Sequence, residues 1–201
     1  TWPSMPLSIL QIGLGAGSLT RFIHRYLPET RQIVVELSPA VVGAARQMFQ
    51  LPPPSERANV VIADGAQWVV QAAQTFDLIL VDGFDADSKT GDLETLGFYQ
   101  HCRSLLKPSG VLVANLLSRS SGFLEACITL TTAFEGRIRL LPQTPGGNVI
   151  ALTSVQDTVS LDESVLRTRA LLLAESCNLD LQGLVERMIS EAPGLPFGIT
   201  S

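Results

Sequence analysis

The chain has 201 residues, of which 46% are hydrophobic and 16% charged, and this balance predicts one compact, sheet-rich domain. A net charge of −5 with no Lys/Arg block argues against a nucleic-acid partner, which requires clustered positive charge. The three cysteines lack metal-ligand spacing, so we expect buried thiols in a reducing cytoplasm and no metal. The sequence shows no apolar run of membrane-spanning length, and we expect no signal peptide.

Apolar strands alternate with helical stretches from residue 7 to about residue 153, which is the pattern of a parallel α/β sheet. Unbroken apolar runs such as 76–81 are typical of strands that are buried on both faces. The predicted strands are 7–13, 32–37, 59–63, 76–81, 111–117, 137–141 and 148–152, and the predicted helices are 18–27, 39–49, 66–73, 93–106, 122–134, 162–175 and 179–190.

The last two strands are joined by residues 142–147, a link too short for a parallel crossover, so we expect an antiparallel hairpin. The predicted fold is therefore Rossmann-like α/β. It has a seven-stranded, mostly parallel sheet, a terminal antiparallel hairpin, and helices on both faces. We assign residues 1–157 to one Rossmann-like domain, whose ligand class the next residues indicate, and residues 158–201 to a C-terminal helical extension of that domain.

A glycine-rich turn follows the first strand, with Gly13, Gly15 and Gly17 at alternate positions. Glycines permit a tight turn and let the backbone approach a ligand closely. Glu36 ends the second strand 19 residues after Gly17, where a carboxylate can accept hydrogen bonds from both hydroxyls of a ribose. These features predict a nucleotide or nucleoside site at the carboxyl edge of the sheet.

Acids also end the third and fourth predicted strands, at Asp64 and Asp82. Because the carboxyl ends of parallel strands meet at one edge, both acids are expected beside the glycine turn. Asp64, followed by Gly65, is placed to accept a hydrogen bond from an adenine amino group, and Leu37 and Trp68 would wall the base. Trp68 has an equally good interpretation as a core residue.

The form of the glycine turn narrows the class of nucleotide. A dinucleotide-binding fingerprint requires glycine where this chain has Ser18, which argues against a dinucleotide cofactor. A P-loop requires a Lys-Ser/Thr pair after the glycines, and this chain lacks one, which excludes a P-loop nucleotide site. The absence of a dense phosphate-binding loop suits a sulfonium nucleoside, which carries no phosphate. The Gly-x-Gly-x-Gly form, Glu36 and the terminal hairpin together resemble the fold of the S-adenosylmethionine-dependent transferases. The resemblance implies the class I methyltransferase fold.

Within that superfamily, four stretches in residues 7–153 resemble the spermidine synthase (aminopropyltransferase) family. They are Val-Val-Glu-Leu-Ser-Pro at 34–39, Ile-Ala-Asp-Gly-Ala-Gln-Trp at 62–68, Phe-Asp-Leu-Ile-Leu-Val-Asp-Gly-Phe-Asp at 76–85 and Leu-Lys-Pro-Ser-Gly-Val-Leu-Val at 106–113. The resemblance implies that Glu36 and Asp64 hold S-adenosylmethionine or its decarboxylated form as a co-substrate. It also matches Asp82 and Asp85 to the family's Asp-x-x-Asp pair, in which Asp85 would take a proton from the attacking amine and Asp82 would position it.

Departures from the family pattern leave the reaction open. The family's glycine loop carries an acid that holds the donor's ammonium group, and this chain has Ala16 there. The loop at 86–91 is not Pro-rich, and a counterpart of the family's small N-terminal β-domain is not expected. Aminopropyl transfer to a small cationic amine is the leading prediction, with a methyltransferase and a non-catalytic nucleoside-binding homologue as alternatives. The sequence does not decide whether the protein forms a homodimer, and no membrane partner is expected.

Overall fold

The computed structural model describes residues 7–83, 91–141, 146–156 and 162–190. Its strands are β1 (Ser8–Ile12), β2 (Arg31–Glu36), β3 (Ala58–Ile62), β4 (Phe76–Val81), β5 (Leu106–Leu117), β6 (Ile138–Leu140) and β7 (Asn148–Ser154). Its helices are α1 (Ser18–Tyr26), α2 (Pro39–Met48), α3 (Gly65–Gln71), α4 (Leu96–Ser104), α5 (Phe123–Ala133), α6 (Glu163–Cys177) and α7 (Gln182–Ser190), with a 3₁₀ helix over Gly91–Glu94.

The strands form one seven-stranded sheet in the order β3-β2-β1-β4-β5-β7-β6. β1 pairs in parallel with both β2 and β4, so the chain changes direction across the sheet at β1. β7 runs antiparallel to both β5 and β6. The predicted sheet with its terminal hairpin is confirmed, and its switch point lies where open α/β sheets bind ligands.

Two apolar clusters fix the sheet between its helices. The larger joins inward side chains of β1, β4, β5 and β7 to α4 and α5, and includes Tyr99, Leu112 and Phe134, each almost fully buried. The smaller joins β2 to α2 around Val34 and Val42. Burying one side chain of this size stabilises the fold by about 2 kcal/mol, so these clusters hold the strand ends in place.

The helix that follows β2 begins as predicted. Ser38 has extended backbone angles, and its hydroxyl accepts a hydrogen bond from the Val41 amide, 3.4 Å away, with Pro39 at the first helical position. Pro39 tolerates this position because its missing N–H would have no partner in the helix. The cap places the start of α2 directly after Glu36, at the carboxyl edge of the sheet.

The segment predicted as one helix over 93–106 is divided. The Thr95 hydroxyl accepts a hydrogen bond from the Phe98 amide, 3.3 Å away, and caps α4, so the preceding residues form the separate 3₁₀ helix. Residues 107–110, which separate the predicted helix 93–106 from the predicted strand 111–117, lie within β5, where Phe76 pairs with Leu106 but Leu78 pairs with Val111. Residues 107–110 are thus an excursion from the ladder rather than a turn before it.

All three cysteines are free and buried, as expected. Burial raises the pKa of the Cys127 thiol to about 11, and the Glu94 carboxylate adds to the shift. Burial likewise raises the pKa of Tyr99 and of Cys102. Within the described ranges, none of the helices is both long and apolar enough to cross a membrane.

Candidate functional site

Three backbone hydrogen bonds extend the sheet ladder to its carboxyl edge. The Gly13 amide donates to the Val35 carbonyl at 2.8 Å, and the Asp82 amide donates to the Ile12 carbonyl at 2.9 Å. The Ala63 amide donates to the Glu36 carbonyl at 3.0 Å. The ends of β1, β2, β3 and β4 therefore lie side by side, and the glycine turn, Glu36, Asp64 and Asp82 share one edge.

The glycine turn needs glycine for two different reasons. Gly13, Gly15 and Gly17 all have positive φ, of +92°, +53° and +73°. At Gly13 a Cβ atom would also lie 2.2 Å from the Asp82 carbonyl oxygen, whereas at Gly15 nothing lies within 4 Å. The backbone at Gly13, just after β1, therefore lies directly against the backbone at Asp82, just after β4, whereas Gly15 faces open space.

Glu36 clamps the backbone around the candidate nucleoside site. Its Oε2 accepts a hydrogen bond from the Leu14 amide at 2.9 Å, and its Oε1 accepts one from the Ser38 amide at 2.8 Å. The side chain is only 9% exposed. Each carboxylate oxygen can accept a second hydrogen bond, so the clamp leaves capacity for two ribose hydroxyls.

Asp64 caps α3, its Oδ1 accepting hydrogen bonds from the Ala66 and Gln67 amides at 2.8 and 3.1 Å. Within the described part of the chain, Oδ2 has no hydrogen-bond partner and is available to an adenine amino group. Leu37 is 67% exposed at the same edge, as a wall for a base requires. Trp68 packs partly against the core, its ring 6.4 Å from that of Phe76 at the start of β4, and it stays partly exposed.

Leu93 is a site neighbour that sequence reasoning missed. A Cβ atom on Gly83 would lie 2.5 Å from Leu93 Cδ1, and one on Gly65 would lie 3.2 Å from Leu93 Cδ2 and 2.6 Å from Ile12 Cγ2. The Leu93 side chain thus lies next to the ends of β1 and β4, in the space left by the missing side chains of Gly65 and Gly83. Its signal in the sequence was the pair Gly65 and Gly83, one after each strand-ending acid.

Asp82 is exposed at the end of β4, and its Oδ1 accepts a hydrogen bond from Asn115 Nδ2 at 2.8 Å. Asn115 Oδ1 in turn accepts one from Asn148 Nδ2 at 2.9 Å. The sequence alone gives no sign that Asn115 and Asn148 are linked to Asp82. Asp85, the other member of the predicted pair, lies outside the described residues.

A buried polar network lies beneath the glycine turn. Gln11 Nε2 donates to the Gly13 carbonyl at 2.6 Å, and Gln11 Oε1 accepts hydrogen bonds from Thr20 Oγ1 at 3.1 Å and Gln32 Nε2 at 2.7 Å. The network joins β1, α1 and β2, and all three side chains are buried. A glutamine within an apolar strand was the only sign of it in the sequence.

Comparison with known proteins agrees with this geometry. The chain matches the family profile described as the spermine/spermidine synthase domain over residues 4–124. It is 37% identical to a polyamine aminopropyltransferase of Chromobacterium violaceum over 187 residues, 93% of this chain and 72% of that protein. The chain belongs to the spermine/spermidine synthase family. The predicted family is thus confirmed, and the chain is a transferase.

Solved structures of this family and of methyltransferases share the fold. Spermidine synthase from Thermotoga maritima superposes with a TM-score of 0.73 at 25% identity, covering 96% of this chain and 67% of that one. Human methyltransferase-like protein 13, in complex with SAH, superposes with a TM-score of 0.73 at 25% identity, covering 98% of this chain and 87% of that one. The class I methyltransferase fold is therefore confirmed for this member of the spermine/spermidine synthase family.

Proposed function

We propose that this chain transfers an aminopropyl group from decarboxylated S-adenosylmethionine to a small amine. The observation that carries the proposal is the exposed Asp82 carboxylate beside the glycine turn and Glu36, in a chain 37% identical to a polyamine aminopropyltransferase. A carboxylate at that point attracts a cationic acceptor to the edge where the sulfonium donor would bind.

Donor binding would use the residues that already order the edge. Glu36 would accept hydrogen bonds from the two ribose hydroxyls while keeping the Leu14 and Ser38 amides. Asp64 Oδ2 would accept from the adenine amino group, and the exposed Leu37 would cover one face of the base. Gly13, Gly15 and Gly17 would let the backbone lie close to the donor. Trp68, which is only partly buried against the core, would provide a second wall for the base.

The chemical step is a displacement at carbon. The neutral amine nitrogen attacks the carbon next to the sulfonium, the new C–N bond forms as the C–S bond breaks, and the bond electrons pass to sulfur, leaving a neutral thioether nucleoside. The amine must first lose a proton, and we assign its removal to Asp85 as general base. Asp82 would hold the amine in line with the C–S bond that breaks. The positive donor is already activated, so alignment and deprotonation are the main tasks of the protein.

Methyl transfer from intact S-adenosylmethionine is the second candidate, favoured by the start of α1. Its N-cap is Gly17, which offers no side-chain hydrogen bond, and its first turn contains no acidic residue. Ala16 next to it carries no charge. The positive end of such a helix favours a carboxylate, which intact S-adenosylmethionine has and the decarboxylated form lacks.

Titration calorimetry with the two nucleosides, followed by product analysis with diamines, tests the proposal. Aminopropyl transfer predicts tighter binding of the decarboxylated form and conversion of a diamine to a triamine. Tighter binding of intact S-adenosylmethionine without triamine formation would support methyl transfer. Binding without any turnover would support a non-catalytic nucleoside-binding homologue, and absence of binding for both nucleosides would contradict all three alternatives.

A further inference from the structure

Two asparagine side chains, linked by hydrogen bonds, hold the Asp82 carboxylate at the carboxyl edge of the sheet. Asn115 lies opposite Asp82 on the neighbouring strand, since Val81 pairs with Ala114 in the β4–β5 ladder. Asn148 begins β7 and pairs with Leu117, two residues beyond Asn115 on the same face of the sheet. The two hydrogen bonds, of 2.8 and 2.9 Å, therefore run across three adjacent strands.

We propose that Asn115 is a positioning residue for the acceptor amine, which orients the Asp82 carboxylate and is itself oriented by Asn148. The inference rests on the proposed function, because it assigns Asp82 to the amine. Asn148 donates to Asn115 Oδ1, and this fixes which end of the Asn115 amide faces Asp82. Asn115 then presents its NH₂ group, a donor, to the carboxylate.

The arrangement suits recognition of a cation. The Asn115 amide occupies one oxygen of Asp82 and leaves the other, Oδ2, to accept a hydrogen bond from an ammonium group. Because the amide carries no net charge, it fixes the carboxylate without neutralising it, whereas a lysine or arginine would compete with the amine. Fixing one rotamer beforehand lowers the entropy that amine binding must lose.

Two substitutions at one position separate orientation from packing. Asn115→Asp keeps the side-chain shape and the acceptor for Asn148, but it places a carboxylate oxygen against Asp82 and repels it. Asn115→Ala removes the donor and the volume without adding charge. If Asn115 orients Asp82, activity falls in the order wild type, Ala, Asp. If Asn115 only fills space, the order reverses, because Asp is nearly isosteric with Asn.

The experiment measures kcat and KM for a diamine acceptor in both variants, together with affinity for the nucleoside by calorimetry. We expect Asn115→Ala to lower kcat/KM for the amine about tenfold and Asn115→Asp about a hundredfold, with nucleoside affinity unchanged. Asn148→Ala should give a smaller loss in the same direction. Asn59→Ala, an exposed strand asparagine in β3, is the matched control and should match wild type.

The outcomes separate the inference from the proposed function. Wild-type turnover with an unchanged or reversed variant order overturns the positioning role while aminopropyl transfer stands. A loss confined to nucleoside affinity also overturns it. Failure of wild type to use or bind any amine overturns the proposed function, and the inference falls with it. Thermal unfolding of each variant identifies any that fails to fold, and the order is then read from Asn148→Ala and Asn115→Asp.

Discussion

Gly13→Ala should disrupt the backbone contact at the ends of β1 and β4 far more than Gly15→Ala does. An added Cβ at Gly13 would lie 2.2 Å from the Asp82 carbonyl oxygen and 2.7 Å from its carbonyl carbon. These are backbone atoms, so the contact can be relieved only by separating the strand ends by about 1 Å. Gly15→Ala is the matched control, because φ is also positive there but no atom lies within 4 Å.

The expected costs follow from these two environments. Alanine in the left-handed region costs roughly 1–2 kcal/mol, which its lower unfolded-state entropy offsets by about 0.4–1 kcal/mol, so Gly15→Ala should cost about 1 kcal/mol. Gly13→Ala adds strain in the bonds from the Gly13 amide to Val35 and from the Asp82 amide to Ile12, 2.8 and 2.9 Å long. Losing both adds about 2–3 kcal/mol, for a total of roughly 3–4 kcal/mol.

Urea unfolding of the two variants and wild type measures the difference. With a slope near 2 kcal/mol/M, the midpoint should fall by about 0.5 M for Gly15→Ala and by about 1.5–2 M for Gly13→Ala. Gly17→Ala should lie between them, because its Cβ would meet Leu51 Cδ1, the end of a flexible side chain, at 2.8 Å. Equal midpoints for Gly13→Ala and Gly15→Ala would refute the close approach of β1 and β4.

Three further substitutions probe other parts of the molecule. Glu36→Ala should abolish nucleoside binding in calorimetry and lower the free energy of unfolding by about 1–3 kcal/mol, because two amides lose their acceptor; unchanged affinity would move the nucleoside elsewhere. Tyr99→Phe should leave stability unchanged or raise it by up to about 1 kcal/mol, because among the described residues the buried Tyr99 hydroxyl has no hydrogen-bond partner. A clear loss of stability in thermal unfolding would mean that the hydroxyl does have a partner. Above pH 9 the unfolded Cys127 thiol ionises while the folded thiol keeps its proton to about pH 11, so stability should fall as pH rises. Cys127→Ala should make the total loss of stability between urea titrations at pH 8 and pH 10 smaller by about 1 kcal/mol.

The sequence predicted those parts of the site that local patterns determine. An apolar strand ending in a glycine turn or an acid is visible in a few consecutive residues, and parallel strands bring such ends to one edge. Gly13, Glu36 and Asp82 were found in this way, and the ladder does bring their backbones together. Their proposed roles toward donor and amine stay predictions.

Features that depend on distant residues were not predicted. Asn115 and Asn148 are 33 positions apart, and their contact exists only because β7 is inserted next to β5. Likewise, 107–110 has the composition of a turn, but pairing with β4 on both sides draws it into β5. In each case tertiary pairing, rather than local propensity, decides the result.

The clamp formed by Glu36 restricts how this site can change its substrate over evolution. Its two oxygens support the glycine turn through Leu14 and the start of α2 through Ser38, so replacing Glu36 would damage the backbone frame together with the proposed ligand contact. Ala16 and Leu37 are both exposed on the same edge, and neither side chain supports the backbone. A lineage could exchange these two residues at little cost to stability. New donor specificity should therefore arise at Ala16 and Leu37, on a frame that stays constant.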